Sequence, residues 1–374
     1  MAQAFTPGLK VTKETIVRKR RILPLKGTVT VNVGDRVTHD QVVAKTDLPG
    51  NVVPLNVANV LGVAPNEVRL CMMKKEGDAV EKGEKIGLYK SFFGLFKNYA
   101  ISPIGGTIEN ISDVTGQVLL REPPIPIEVK AYVDGKIVEV IPNEGVTVET
   151  QGSYIQGIFG LSGERSGEIV LVVEKPTQEL TADLLKPEHK GKIVVGGSYI
   201  RLEAIKKAMS IGVNAVVVGG VDDKDIRELL GYDIGVAITG HEKMPTTLIT
   251  TEGFGEMNMA ERTFNLLKEN TGKRASINGA TQIRAGVMRP EVIIPFTDLT
   301  KQIKAEEGEA RSLQVGDPIR IIREPRFGEL GTITEMVSEQ MKMESETMVR
   351  VFRAKLATGE EIIVPRANIE RIEV

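Results

Sequence analysis

A short turn motif, in which a glycine precedes an acidic residue between valine- and isoleucine-rich runs, constrains the fold of this chain most. The segment Val33-Gly34-Asp35-Arg36-Val37 returns as Glu76-Gly77-Asp78-Ala79-Val80, and a further apolar residue follows each copy. Glycine adopts backbone conformations that other residues avoid, the acidic side chain caps the turn, and the flanking valines enter a small core. Short strands joined by such turns predict a sandwich or barrel.

Looser copies extend the repetition. Ile104-Gly105-Gly106-Thr107-Ile108 is matched by Val133-Asp134-Gly135-Lys136-Ile137, and Asn143-Glu144-Gly145-Val146 follows the second. Strands are predicted at 28–33, 42–45, 101–102, 107–111, 117–120, 127–133, 136–141 and 146–150, with one helical stretch at 55–61. We therefore assign residues 1–155 to a β region that folds as one module or as two repeated modules.

This repeat pattern resembles the barrel-sandwich hybrid, or hammerhead, modules of biotinyl and lipoyl carrier domains. Similar modules occur in large subunits of RNA polymerase and in ion-pumping quinone oxidoreductases. Residues 102–107, Ser-Pro-Ile-Gly-Gly-Thr, match the later strand of a carrier domain, but Leu95 takes the place of the carrier lysine and Lys97 is two residues out of register. The resemblance therefore implies the fold, without covalent biotin or lipoate, and Lys97 is interpreted as a solvated loop lysine.

Residues 156–297 change character and predict an α/β domain. Continuous apolar strands are predicted at 169–173, 192–195, 213–218, 234–238, 246–250 and 292–294. Helices are predicted at 201–211, at 222–230 with Asp222 as cap and Gly231 as stop signal, and at 258–267. Buried strands that alternate with helices indicate a mostly parallel, helix-covered sheet.

Residues 298–310 are charged and are interpreted as a linker, and residues 311–374 return to β structure. In this last region, Val315-Gly316-Asp317-Pro318-Ile319 is followed by Phe327-Gly328-Glu329-Leu330-Gly331-Thr332-Ile333. The pattern resembles the KOW motif of SH3-like barrels in ribosomal proteins and NusG-type transcription factors. This resemblance implies a small β-barrel that contacts RNA or a partner protein through its glycine-containing loop. The overall prediction is a multidomain β plus α/β protein.

Polar residues and glycines that follow strands are candidate ligand-binding residues in the α/β domain. In such sheets, ligands bind where strands end, because the N-termini of the following helices offer N–H groups to anions. Neither of the two glycine pairs, at 196–197 and 219–220, forms a dinucleotide-binding or phosphate-loop fingerprint. The candidate ligand-binding residues are Gly196, Gly197, Ser198, Gly219, Gly220, His241, Glu242, Asn278 and Arg284. His241 with Glu242 offers acid–base or metal chemistry, whereas the alternative is a structural turn histidine. No nucleophile–base arrangement or paired-histidine metal spacing appears, so no catalytic or metal-binding residue is assigned.

Basic residues form a second kind of candidate site, for nucleic acid or a protein partner. They are Arg18, Lys19, Arg20 and Arg21 in one run, and Arg320, Arg323 and Arg326 around the barrel loop. Nucleic-acid affinity depends on phosphate neutralisation, yet residues 311–374 hold ten Lys/Arg and eleven Asp/Glu. This balance favours protein contact by the barrel at least as much as RNA contact. For the run at 18–21, the alternative interpretation is a solvated strand edge whose charges deter aggregation.

Composition excludes several classes. One cysteine and three histidines exclude a disulfide scaffold, a zinc finger and an iron–sulfur cluster held by this chain alone, and they suit a reducing cytoplasm. No apolar run is long enough to span a membrane, and the first residues lack a secretory signal. We expect no cofactor and a non-catalytic scaffold or adaptor that binds protein or RNA, associated with transcription or translation machinery. The alternatives are a self-assembling homo-oligomer or filament, and an enzyme or small-ligand binder in the α/β domain.

Overall fold

The computed structural model describes residues 9–91, 96–232, 239–240, 242–282, 288–296, 313–321, 326, 329–342 and 348–371, which are mostly β-strand. The strands up to residue 130 are β1 (Val11–Ile22), β2 (Thr28–Val29), β3 (Arg36–Val37), β4 (Val42–Leu48), β5 (Val52–Asn56), β6 (Ala79–Val80), β7 (Lys85–Ser91), β8 (Phe96–Ile101), β9 (Gly106–Ile111), β10 (Gln117–Arg121) and β11 (Ile125–Lys130). Helices α1 (Val57–Leu61) and α2 (Val68–Cys71) lie between β5 and β6.

The later elements include both the helices of the α/β region and the C-terminal strands. The central strands are β12 (Gly135–Ile141), β13 (Gly145–Gln156), β14 (Phe159–Leu161), β15 (Glu164–Leu171), β16 (Ile193–Val195), β17 (Tyr199–Ile200), β18 (Ala215–Val221), β19 (Thr247–Phe254), β20 (Arg274–Asn278) and β21 (Glu291–Pro295). The helices are α3 (Leu202–Ile211), α4 (Asp223–Leu230) and α5 (Glu261–Glu269). The last strands are β22 (Pro318–Ile321), β23 (Leu330–Lys342), β24 (Met348–Leu356), β25 (Glu361–Pro365) and β26 (Ile369–Arg371).

The glycine–aspartate turns form the same hydrogen-bonded unit three times. Gly34, Gly77 and Gly316 have φ values of 98°, 89° and 92°. The aspartate after each glycine accepts a hydrogen bond from the backbone N–H three residues before it, at 2.8, 2.7 and 2.8 Å. Each glycine N–H donates to an isoleucine carbonyl of the facing strand, in Ile137, Ile108 and Ile333. The predicted roles of glycine and acid are confirmed, and the unit recurs in the C-terminal β region.

The N-terminal β region contains three small sheets. One has the order β11-β4-β2, and the other two, β5-β10-β9-β6 and β7-β8, are built by residues inserted between the paired strands β4 and β11. Helix α1 packs on this inserted unit and ends at Gly62, which is left-handed, within the predicted helical stretch. The core of the inserted unit consists of apolar side chains from its helices and strands, with Leu61, Ile86 and Leu120 fully buried.

The largest sheet contains twelve strands and is mixed. Its order is β14-β19-β18-β16-β15-β20-β21-β13-β12-β3, with β1 beside β13 and β17 beside β18. Only the pairs among β15, β16, β17, β18 and β19 are parallel. The prediction of a mostly parallel sheet is therefore wrong, because chain reversals outside the helical crossovers add antiparallel strands at both sides of the parallel core.

The central strand β13 joins the N-terminal strands to the α/β region. It pairs with β1 on one side, and on the other with β12 near its start and with β21 near its end. The boundary expected between residues 155 and 156 falls at the last residue of this strand. One sheet thus runs continuously through that position.

Helices cover both faces of the parallel strands. Buried residues of α3 and α4 share one core with Val194, Val216 and Val218, while α5 packs into the other core with Val195 and Val217. Successive side chains of a strand point to opposite faces, so each strand contributes to both cores. The side chain of Asp222 caps α4 and Gly231 ends it with φ 78°, which confirms both predicted helix signals.

The C-terminal strands form a separate antiparallel sheet in the order β25-β24-β23-β22-β26. Its core includes Ile319, Ile333, Phe352 and Ile369, each at most 2% exposed. The linker expected at 298–310 lies outside the described residues. Among the described helices, none has the length and apolar character needed to cross a membrane.

Candidate functional site

The strand-ending glycines of the central sheet are packed against backbone. A Cβ atom on Gly197 would lie 2.5 Å from the carbonyl oxygen of Gln178, and one on Gly219 would lie 2.1 Å from that of Met257. Such contacts are far inside van der Waals separation, so these positions admit only glycine. The glycines therefore allow neighbouring backbone segments to approach, and backbone fills the space expected for a ligand.

The second glycine pair also differs from its predicted place. Gly219 and Gly220 lie inside β18 rather than after it. The carbonyl of Ser198 accepts from the Gly220 N–H at 2.7 Å, and the Gly196 N–H donates to Val217 at 2.9 Å. The expectation that Gly219 and Gly220 present helix N–H groups to a ligand is corrected, since strand pairing occupies these backbone groups.

The polar loops of the α/β region bind one another. One carboxylate oxygen of Glu242 accepts from the backbone N–H groups of Ser162 and Gly240, both at 2.8 Å. Asn278 accepts from the Ala280 N–H within its own turn at 2.9 Å. These bonds give Glu242 and Asn278 loop-fixing roles, and the candidates His241 and Arg284 lie outside the described residues.

The buried threonines at positions 239 and 281 connect the same loops. The Thr239 hydroxyl donates to the carbonyl of Gly160 at 2.8 Å and accepts from the Thr281 N–H at 2.9 Å. Both threonines are at most 2% exposed. The density of hydroxyls and amides seen in the sequence thus serves to join two loops to β14.

Three members of the basic run pair with carboxylates. Arg18 lies 2.7 Å from Glu149, and Arg21 makes two hydrogen bonds to Glu164 at 2.7 and 2.8 Å. Lys19 donates to Glu291 at 2.5 Å. Arg20 is exposed and forms no ion pair with a described residue. Within one strand, then, alternate residues differ: Lys19 and Arg21 are half-buried, and Arg18 and Arg20 are exposed.

Glu291 is the centre of a buried polar cluster that sequence reasoning missed. Its carboxylate is 7% exposed and accepts from the hydroxyls of Tyr132 at 3.2 Å and Tyr154 at 3.1 Å, in addition to Lys19. Burial raises the pKa of the Tyr132 hydroxyl well above its ordinary value, and the Glu291 charge raises it further. The same two causes raise the pKa of Tyr154. Both tyrosines are therefore neutral donors at physiological pH.

The backbone of Tyr132 is held in a sparsely populated conformation. Its φ is 73°, which a non-glycine residue adopts only when its surroundings over-determine it. The Ser276 hydroxyl donates to its carbonyl, the Arg21 guanidinium lies 5.2 Å from its ring centroid, and Glu291 holds its hydroxyl. A glutamate that opens an apolar strand was the sequence signal for this cluster, because a buried carboxylate requires partners.

Arg320 is corrected from an expected surface residue to a buried one. It is 1% exposed and donates to Glu252 at 2.7 Å and to Glu370 at 3.1 Å. Glu370 also pairs with Arg289. Glu252 lies in β19 of the central sheet, whereas Arg320 and Glu370 lie in β22 and β26. This four-residue network, the Arg320 network, attaches the C-terminal sheet to the α/β region and leaves Arg320 no surface for an external ligand.

The other two arginines predicted around the C-terminal loop differ in what the structure shows. Arg326 is partly exposed and pairs with Glu329 at 3.2 Å and with Glu360 at 2.6 Å. Arg323 lies outside the described residues. The expected cluster of three arginines is thus reduced, in the described part, to one buried residue and one paired residue.

Neither the known protein-family models nor the curated proteins contain a match for this chain. Among the described residues, no group of three or more histidine, cysteine, aspartate or glutamate side chains is arranged to hold a metal ion.

Proposed function

We propose that this protein is a non-catalytic, multidomain scaffold that binds other proteins, in the way that barrel-sandwich hybrid and KOW modules dock partners. The proposal includes an association with transcription or translation machinery, which rests on the two module resemblances alone. Its main support is the internal pairing of the basic side chains that an RNA site would need.

Five of the seven candidate basic residues, Arg18, Lys19, Arg21, Arg320 and Arg326, form ion pairs with carboxylates. Nucleic-acid binding gains free energy by releasing counterions from several phosphates at once. A cation already paired with a carboxylate contributes less to this binding free energy, because the phosphate must displace that carboxylate. Protein contact needs no such excess of free positive charge.

The packing of the α/β region supports a non-catalytic role. Backbone segments fill the space at Gly197 and Gly219, and the loops around Glu242 and Asn278 satisfy one another. An enzyme site needs a concave space with converging polar groups that lack internal partners. The self-assembly alternative has less support at the edge strands β5 and β11, because these contain Pro54 and Pro126, and proline cannot donate to an added strand.

The test is purification of the chain from native cells, with and without nuclease treatment, followed by mass analysis. We expect protein partners that remain after nuclease treatment. In parallel, binding of the pure protein to single-stranded RNA should be weaker than about 10⁻⁴ M at physiological salt. RNA binding that is tight, falls steeply with salt and is lost in Arg20→Ala/Arg326→Ala would contradict the proposal, as would loss of all partners with nuclease.

A further inference from the structure

The strand β1 is a long edge strand of the twelve-stranded sheet. It runs for twelve residues without proline or glycine and pairs only with β13 among the described strands. The other described edges are shorter, as in β14 with three residues and β25 with five, or contain an internal proline. The register shifts between Thr12 and Thr15, and from Thr15 to Ile22 the strand pairs with β13 without interruption. Natural proteins shorten, cover or interrupt such edges, so this uninterrupted stretch calls for an explanation.

The register shows which backbone groups of β1 face away from the sheet. The Leu23 N–H donates to the Glu144 carbonyl, and bonded pairs alternate along an antiparallel ladder. Residues 21, 19, 17 and 15 therefore form the hydrogen bonds to β13. This follows the register, in which each residue of β1 from Ile22 to Thr15 pairs with one residue of β13 from Gly145 to Gly152. The intervening residues, Ile16, Arg18, Arg20 and Ile22, direct their N–H and C=O groups outward, and no described residue bonds to them.

We infer that this outer edge of β1, residues Ile16 to Ile22, is a binding site for an extended segment of a partner protein that carries a carboxylate opposite Arg20. The inference rests on the proposed protein-binding function and names its site. The four outward-facing residues, which alternate along the strand, offer a ladder of main-chain hydrogen bonds. Such a ladder is the source of affinity in strand addition. The partner adds one strand to the existing sheet.

The positive charge of this edge determines which kind of segment binds it. Arg20 is exposed and has no described ion-pair partner, and the Arg18 side chain is 68% exposed beside Glu149. Two copies of β1 laid against each other would bring these arginines close together, which is unfavourable. A carboxylate opposite Arg20 gains an ion pair instead. The edge therefore favours an acidic foreign segment over a second copy of the chain.

The experiment uses the full-length protein and a synthetic acetylated peptide of about seven residues that alternates valine and glutamate. Amide hydrogen exchange is followed at residues 16 to 22. In the free protein, the amides of residues 16, 18, 20 and 22 should exchange faster than those of residues 17, 19 and 21. Saturating peptide should slow the outward set about tenfold or more and leave the inward set unchanged.

Two variants at one position separate backbone pairing from charge. Arg20→Pro removes an outward N–H without touching a bond to β13 and should abolish protection. Arg20→Thr keeps the N–H and should retain protection, while losing the preference for the glutamate peptide over one with lysine in its place. A peptide methylated on alternate amide nitrogens should fail to protect the wild-type protein, which tests the ladder even if Arg20→Pro folds poorly.

Several results would overturn the assignment. They are no protection of the wild-type outward amides, equal protection in Arg20→Pro, and a β1-paired dimer that the peptide dissociates. The native partners distinguish the two proposals. If they survive nuclease treatment but bind Arg20→Pro as well as wild type, protein binding stands and the β1 site fails. If none survives nuclease treatment, the proposed function fails.

Discussion

Arg320 and Glu291 are buried ionisable side chains whose charges meet partners, although the Nε of Arg320 has no hydrogen-bond partner among the described residues. Arg320 meets two carboxylates, and Glu291 meets one ammonium and two phenolic hydroxyls. Removing such a charge from water is costly unless partners compensate it. Both residues lie where separate β-sheets or distant strands meet, so their partners fix the relative position of elements far apart in sequence.

Replacing Arg320 by methionine tests this at the level of one side chain. Arg320→Met leaves the buried Glu252 without its cation and leaves Glu370 with Arg289 alone, and we expect the free energy of unfolding to fall by about 3–5 kcal/mol. Arg326→Met, at partly exposed pairs, is the matched control and should cost about 0–1 kcal/mol. Urea unfolding followed by circular dichroism measures both. Similar costs for the two variants would show that burial of Arg320 carries no special weight.

His189 gives a prediction for pH dependence. It is 6% exposed, its Nδ1 accepts from the Lys186 N–H at 3.1 Å, and burial lowers its pKa. As pH falls below the ordinary value of 6.5, the unfolded chain takes up a proton before the folded chain does, and stability declines. His189→Asn keeps an acceptor at that place without a titrating group. We expect the loss of stability between about pH 7 and pH 5 to be smaller in the variant, and parallel curves would refute this.

At the scale of elements, local chemistry made the turns and helix ends predictable. Gly34, Gly77, Asp222 and Gly231 act through neighbours within a few residues, and their roles follow from backbone preference and short-range hydrogen bonds. The direction of the sheet strands was not predictable in the same way. A continuous apolar run indicates a strand buried on both faces, but antiparallel strands buried in a sandwich share that pattern with parallel ones.

The repeated turn offers a clean test, because a Cβ at Gly77 would meet no other atom within 4 Å. The cost of substitution there comes from the left-handed backbone alone. Gly77→Ala should lower the free energy of unfolding by about 1–2 kcal/mol, and Gly77→Asn by less, since asparagine tolerates this conformation. Thermal unfolding of the three proteins gives the order glycine, asparagine, alanine. An alanine variant as stable as asparagine would contradict the turn argument.

The whole molecule is more continuous than the pattern of its modules predicted. Composition changes near residue 156, but β13 pairs across that point, and the Arg320 network joins the last sheet to β19. Contacts of this kind join residues far apart in sequence, such as Glu252 and Arg320, which are 68 positions apart, and no local pattern encodes them. The predicted surface position of Arg320 is wrong for the same reason, because its strand pattern does not show that the buried face meets a glutamate of another region.

A double-mutant cycle between Glu252 and Arg320 tests this union. Glu252→Gln keeps an oxygen near the Ala260 N–H, which Glu252 now accepts from at 3.0 Å, but it removes the charge facing Arg320. If the network joins the C-terminal sheet to β19, the single variants and the double variant should give a coupling of about 1–3 kcal/mol. Amide exchange in β22 should rise in each single variant while α3 is unaffected. Glu329→Gln, which touches only the exposed pair of Arg326, should change neither. A coupling near zero would mean that the C-terminal sheet keeps its place without these charges, by apolar contact alone.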